Sequence, residues 1–151
     1  MRKRIATRAL VFGMKVIYHN RRALPDTQSQ GATYVSFAEL LSQSDVLSLN
    51  LTLNTSTRHV IGAPELAQMK DNVVIINTSR GALINETALV DALESGKVYA
   101  AGLDVYESEP NVHPGLLKSD EVVLLSHVGT ATVESRVFLP TTLSRFFSLC
   151  R

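Results

Sequence analysis

Three residues carry the chemistry that this sequence can do. Arg80 follows the apolar run Val73-Val-Ile-Ile-Asn-Thr-Ser-Arg-Gly81, Glu109 closes Ala101-Gly-Leu-Asp-Val-Tyr-Glu-Ser-Glu-Pro110, and His127 sits in Val122-Val-Leu-Leu-Ser-His-Val-Gly-Thr-Ala-Thr132. Each lies where a Val/Ile/Leu-rich strand ends. A guanidinium, a carboxylate and an imidazole at neighbouring strand ends can bind an anionic 2-oxo acid. They can also pass a proton to its carbonyl oxygen. Arginine and histidine are most often surface or structural residues, and His19, His59 and His113 are read that way. Arg80 and His127 differ because an apolar strand delivers each of them.

The elements needed to position these residues can be read from periodicity. Ile5, Ala6, Ala9, Leu10 and Phe12 fall at helical spacing, and Gly13 then ends the helix. Strands are predicted at Lys15–Tyr18, Val46–Leu49, Asn72–Asn77, Val98–Leu103 and Val122–Leu125. Helices are predicted around Phe37–Ser42, from Pro64 through Met69, and from Glu86 to Leu93, the last capped by Asn85. Strands that are apolar on both faces and alternate with helices predict an α/β fold: a doubly wound parallel (Rossmann-like) sheet covered by helices on each side. Only Pro25–Gly31 and Ser108–Gly115 read as substantial loops.

Composition narrows the classes. The chain has 151 residues, 45% hydrophobic and 19% charged, as in one soluble globular domain. Its net charge of +1 argues against bulk attraction to nucleic acid or to a membrane. One cysteine, Cys150, excludes an internal disulfide framework and a clustered cysteine metal site, so a cytoplasmic address is expected. The acid-free, Arg-rich start also has the composition of a mitochondrial transit peptide, but its spacing favours a domain helix.

Doubly wound dinucleotide-binding domains open with a strand and a G-x-G-x-x-G turn. None of the eight glycines here forms that pattern. The fold expected is therefore incomplete, with the first strand and the glycine-rich loop absent. Such a sheet would have unpaired interior edges, low stability and weak grip on a pyrophosphate. After the strand Lys15–Tyr18, Asn20 stands where NAD enzymes place an acid that binds the ribose hydroxyls. With Asn20 uncharged and Arg21 and Arg22 beside it, a ribose 2′-phosphate can be paired. NADP(H) is thus expected over NAD(H), although the same residues suit a solvated basic turn.

The three motifs, in this order, resemble those of the D-isomer-specific 2-hydroxyacid dehydrogenases, nearest the glyoxylate/hydroxypyruvate reductase branch. The resemblance runs from Arg4 to about Arg136 and implies a cofactor-binding domain, 1–136, without either half of the family's substrate domain. It implies that Arg80 holds the substrate carboxylate, that His127 is the acid/base, and that Glu109, rather than Glu107, orients the imidazole and favours its protonated form. Glu107 is expected to be a solvated loop charge. By the same resemblance Leu51, Thr78, Ser79, Asp104 and Gly129 approach the cofactor. Asp104 suits simple strand-end hydrogen bonding equally well. Thr52 replaces a common proline, so the loop after Leu51 is expected to be placed differently.

The expected function is hydride transfer between NAD(P)H and a small 2-oxo acid of the glyoxylate or hydroxypyruvate type, with negligible activity for this stretch alone. A homodimer is compatible with the resemblance. Other readings are a dinucleotide-sensing protein like the C-terminal-binding-protein corepressors, and an inert truncated product. Residues 137–151 diverge from the family: Pro140 interrupts any helix there, and Phe146 and Phe147 need cover.

Overall fold

The computed structural model describes residues 2–29, 31–129 and 131–132. The divergent stretch 137–151 lies outside them, as does the Arg136 end of the resemblance. The elements in chain order are α1 (Arg2–Val11), β1 (Ile17–Tyr18), α2 (Asp26–Ser29), β2 (Thr33–Tyr34), α3 (Phe37–Gln43), β3 (Val46–Leu49), α4 (Ala63–Gln68), β4 (Val73–Asn77), α5 (Glu86–Glu94), β5 (Val98–Leu103), α6 (Pro114–Lys118) and β6 (Val122–Leu124). A 3-10 turn, Gly81–Leu83, follows β4.

All strand pairs are parallel, in a two-stranded ribbon β1-β2 and a four-stranded sheet β3-β4-β5-β6. The alternation of strand and helix dictates this, because each crossover returns the chain in the same direction. No strand joins ribbon and sheet among the described residues, so β1 and β3 are edges, as expected for an incomplete doubly wound sheet.

Most predicted elements form, each for an identifiable local reason. Gly13 ends α1 at φ +74°, with its N–H and that of Met14 turned back to Leu10 and Ala9. Ser36 and Glu39 cap α3 reciprocally: Ser36 Oγ accepts from the Glu39 N–H, and Glu39 Oε2 accepts from the Ser36 N–H. Asn85 Oδ1 accepts from the Ala88 N–H at 3.0 Å and starts α5. Four elements were not anticipated. The stretches read as loops contain α2 and the start of α6, and β2 and the 3-10 turn are too short for periodicity to reveal.

Burial also departs from expectation. In β4, Val73, Ile75 and Asn77 share one face and are fully buried, whereas Val74 and Ile76 on the other are half-buried. The buried face packs on Leu41, Leu66, Met69, Leu83, Leu89 and Val90 from α3, α4, the 3-10 turn and α5. On the opposite face Val46 remains 44% exposed, and Val11 at the end of α1 and Phe12 after it are exposed. The sheet is therefore well covered on one side, not both. A bulge at Tyr99 lets Val98, Ala101 and Leu103 all reach the covered side, since Val73 pairs with Val98 and Val74 with Ala100.

The register is what positions chemistry. Leu49 pairs with Asn77, Asn77 with Leu103, and Leu103 with Leu124. Four carboxyl-terminal strand ends therefore form one line, and Leu51, Arg80, Asp104 and His127 emerge just beyond it. Gly81 allows the closest approach along this line. A Cβ there would lie 1.8 Å from the Tyr106 carbonyl carbon and 2.4 Å from the Glu107 nitrogen. Gly81→Ala should accordingly force backbone apart and destabilise the chain by about 1–3 kcal/mol or more. Urea unfolding followed by circular dichroism checks this, and an unchanged midpoint contradicts it.

Candidate active site

The strand ends bring Glu109 and His127 into direct contact. His127 Nδ1 lies 2.9 Å from Glu109 Oε2, and Glu109 Oε1 accepts the Tyr106 N–H at 3.0 Å. An ionised carboxylate can only accept, so the shared proton belongs to Nδ1. The neutral imidazole then carries its lone pair on Nε2, which has no protein partner among the described residues. The hydrogen bond from His127, followed by that from Tyr106 and the charges of His127 and Arg80, holds the Glu109 carboxyl below the ordinary 4.5. Arg80 is thus close enough to be felt by Glu109, although no hydrogen bond joins them.

His127 adopts a left-handed φ of +57°, a conformation that costs a non-glycine residue on the order of 1 kcal/mol or more. Asp104 holds it there. Its carboxylate is 4% exposed and accepts the Val128 N–H at 2.8 Å and the Gly129 N–H at 2.9 Å, one on each oxygen. Hydrogen bonds to a charged group contribute about 1.5–3 kcal/mol each, enough to offset the strain. A Cβ on Gly129 would lie 2.7 Å from Asp104 Oδ2, so any larger residue there would displace that carboxylate. The structure therefore places Asp104 beneath the imidazole loop with both oxygens occupied. The Tyr106 hydroxyl fixes the approach to this loop by donating to the Leu125 carbonyl. Burial, and then the Asp104 charge, push that phenol above its ordinary 10.0.

Arg80 is exposed and borders a cleft of about 180 Å³ with Leu51, Thr52, Leu53 and Ser79. Its Nη1 donates to the Ser79 carbonyl at 2.6 Å, and its other donors have no protein acceptor among the described residues. Asn77, 1% exposed, was not singled out from sequence, yet it shapes this turn: Nδ2 donates to the Arg80 carbonyl and Oδ1 accepts the Ser79 N–H. Ser79 Oγ in turn donates to the Leu51 carbonyl at 2.7 Å. Thr78 is exposed at the same strand end. The loop after Leu51 is braced from within, where Thr57 Oγ1 donates to the Thr52 carbonyl at 2.8 Å.

Glu107 corrects an expectation. It is no solvated charge: its side chain is 21% exposed and pairs with both Arg58 and His59. A polar residue at the end of an apolar strand was a usable signal for Asn77. No short-range pattern links Glu107 to partners almost fifty positions earlier. Of the other histidines, His19 stacks on Tyr34 and His113 caps α6 by accepting the Gly115 N–H.

At the end of the β1-β2 ribbon, Asn20, Arg21 and Arg22 line a recess of about 440 Å³. Tyr18 closes this turn by accepting the Leu24 N–H, and the Tyr34 hydroxyl donates to the Asn20 carbonyl. Two guanidinium groups, with no carboxylate among the described lining residues, make the recess a fit for a phosphate. Among the described residues no group of histidine, cysteine and acidic side chains could hold a metal ion, and no helix is long and apolar enough to cross a membrane.

Comparison with known proteins agrees with this fold. The family profile described as "D-isomer specific 2-hydroxyacid dehydrogenase, NAD binding domain" matches residues 2–129. The 4-methyl-2-oxopentanoate reductase A of Aspergillus oryzae is 60% identical over 134 residues, which are 89% of this chain and 41% of that protein. A crystal structure of a glyoxylate reductase from Paecilomyes thermophila matches with a TM-score of 0.89 at 62% identity, covering 91% of this chain and 42% of the other. The NADPH-dependent glyoxylate/hydroxypyruvate reductase of Sinorhizobium meliloti, crystallised with NADP and malonate, matches with a TM-score of 0.82 at 37% identity, covering 87% and 41%. The chain spans about two-fifths of the length of the curated relatives it matches.

The Glu109–His127 bond makes a pH-dependent prediction. With its folded pKa lowered, Glu109 contributes stability above its ordinary 4.5 and loses it as pH falls through the lowered value. His127→Ala removes the largest cause, so the Glu109 titration should move up towards 4.5. Carbon-13 NMR of labelled glutamate carboxyls reads this directly; an unmoved midpoint contradicts it.

Proposed function

The chain belongs to the D-isomer-specific 2-hydroxyacid dehydrogenase family, and from that premise we propose that residues 1–136 form the cofactor-binding part of an NADP(H)-preferring reductase of small 2-oxo acids. The observation that carries this reading is the Glu109–His127 hydrogen bond on the same line of strand ends as Arg80.

A bound dinucleotide would supply the hydride for the carbonyl carbon. Arg80 binds the oxo acid's carboxylate through the donors that the protein leaves uncommitted. His127, held by Glu109 at Nδ1, gives its Nε2 proton to the carbonyl oxygen in reduction and recovers it in oxidation. Glu109 keeps a proton on Nδ1 and so fixes the orientation of the ring, with Nε2 turned to the substrate. Asp104 and Gly129 fix the imidazole loop, and with Leu51, Thr78 and Ser79 they are the residues that would hold the nicotinamide end. Arg21 and Arg22 hold a ribose 2′-phosphate in their recess, with Asn20 avoiding repulsion.

The carboxylate and the adjacent carbonyl that these residues address are common to glyoxylate and hydroxypyruvate, the preferred substrates. A branched oxo acid is the second reading, favoured by identity to the Aspergillus reductase. Pairing of two copies and a cytoplasmic address belong to the same proposal, the latter suited by a single cysteine.

Steady-state assays of the whole protein carrying these residues, with glyoxylate, hydroxypyruvate and 4-methyl-2-oxopentanoate, test the reading. Arg80→Gln should lower kcat/KM by about a hundredfold or more, and His127→Ala should lower kcat by about 10²–10⁴. Arg21→Ala with Arg22→Ala should raise KM for NADPH by about tenfold or more while sparing NADH. Wild-type preference for NADH contradicts the cofactor assignment, and full turnover without His127 contradicts the mechanism.

A further inference from the structure

One ionic junction lies outside the groups that would touch substrate. Glu107 Oε1 accepts from Arg58 Nη2 and lies 2.7 Å from His59 Nε2, while the Glu107 N–H donates to Glu86 Oε1, also at 2.7 Å. Glu86 is 7% exposed in the first turn of α5, so the backbone of Glu107 is fixed from below. The carboxylate is fixed from across the chain, by residues 49 and 48 positions away.

This junction differs from the ordinary surface pairs of the molecule. Lys70–Asp45 and Lys97–Asp71 have carboxylates that are 85% and 83% exposed, the kind of pair that contributes little. Glu107 is 21% exposed and has two cationic or ring partners on one oxygen. His59 is itself set in place: its φ is +51° and its N–H donates to the Ala82 carbonyl in the turn after Arg80.

The consequence is geometric. Arg58 and His59 end a loop whose start, Leu51 to Leu53, forms the wall of the Arg80 cleft. Thr57 ties the two halves of that loop together through the Thr52 carbonyl. On the other side of the junction, Tyr106 N–H donates to Glu109, two residues from Glu107.

We propose that Glu107 is a positioning residue: its carboxylate latches the loop from Leu51 to Val60 onto the segment bearing Glu109, fixing the Arg80 cleft relative to the Glu109–His127 pair. This role rests on the site reading given above. It explains why two acids stand two apart here. Glu109 serves the imidazole, and Glu107 serves the wall opposite.

NMR of the full 151-residue chain tests the latch. Glu107→Ala should displace the Thr52 and Leu53 amide signals and shift the Glu109 carboxyl titration, with the far-UV circular dichroism spectrum retained. Glu107→Gln keeps an oxygen acceptor at the same reach and should restore both signals most of the way to wild type. If Glu107→Ala leaves Thr52, Leu53 and Glu109 unmoved, the proposal is overturned. Should that variant not fold, Arg58→Leu with His59→Asn empties the latch from its exposed side and is judged by the same signals. Neither spectrum needs cofactor or substrate, so absence of reductase activity would count against the enzymatic reading alone.

Discussion

Parallel register is the constraint on which everything else in this molecule depends. Leu49, Asn77, Leu103 and Leu124 pair in sequence across the sheet, so the chain leaves four strands at one level. A slip of one residue at β4 would exchange the faces of Val73, Ile75 and Asn77 with those of Val74 and Ile76. It would bury the wrong side chains and carry Arg80 away from Glu109. The apolar contacts that stabilise the sheet thus also set the position of the polar groups at its end. The Tyr99 bulge belongs to the same constraint, since it restores the phase that brings Leu103, and hence Asp104, to that level.

Beyond the strand ends, buried polar groups replace apolar packing as the means of control. Asn77, Glu86 and Asp104 are all buried, and each hydrogen-bonds backbone groups of the turns that carry Arg80, Glu107 and His127. Such groups are costly to bury unpaired. Among the described residues every buried side-chain polar atom has a partner. The cost of burial is therefore offset, and what remains is direction: each bond fixes a turn in one of the few conformations that satisfies it. The left-handed backbone of His127 shows the size of the effect, since two bonds to one carboxylate suffice to hold it.

Much of this was legible in sequence because it rests on local rules. Gly13, Ser36 and Asn85 mark helix ends through their own side chains or lack of one, and Val73–Asn77 reads as a strand from its composition. The incomplete, all-parallel sheet followed from the alternation of elements and from the missing glycine-rich turn. What could not be read depends on distance through space. The Glu107 latch joins residues far apart in the chain, and the bulge at Tyr99 is a matter of phase between neighbouring strands. Coverage of only one sheet face was hidden for the same reason, because strand composition reports an apolar side chain and not what lies over it. The roles given to Asp104 and Gly129 illustrate the boundary: their place at a strand end was readable, whereas their bond to each other required the fold.

Among the described residues the β1-β2 ribbon shares no backbone ladder with the sheet that aligns Arg80, Glu109 and His127. The basic recess at its tip and the proton-handling edge are lined by different residues, Asn20 to Arg22 in one case and Leu51 to Leu53 with Ser79 and Arg80 in the other. Substitutions at Asn20, Arg21 or Arg22 would then alter which dinucleotide is preferred without disturbing the alignment of the reacting groups. On the proposed reading, cofactor choice is set by side chains that, among the described residues, make no hydrogen bond to the groups handling the proton.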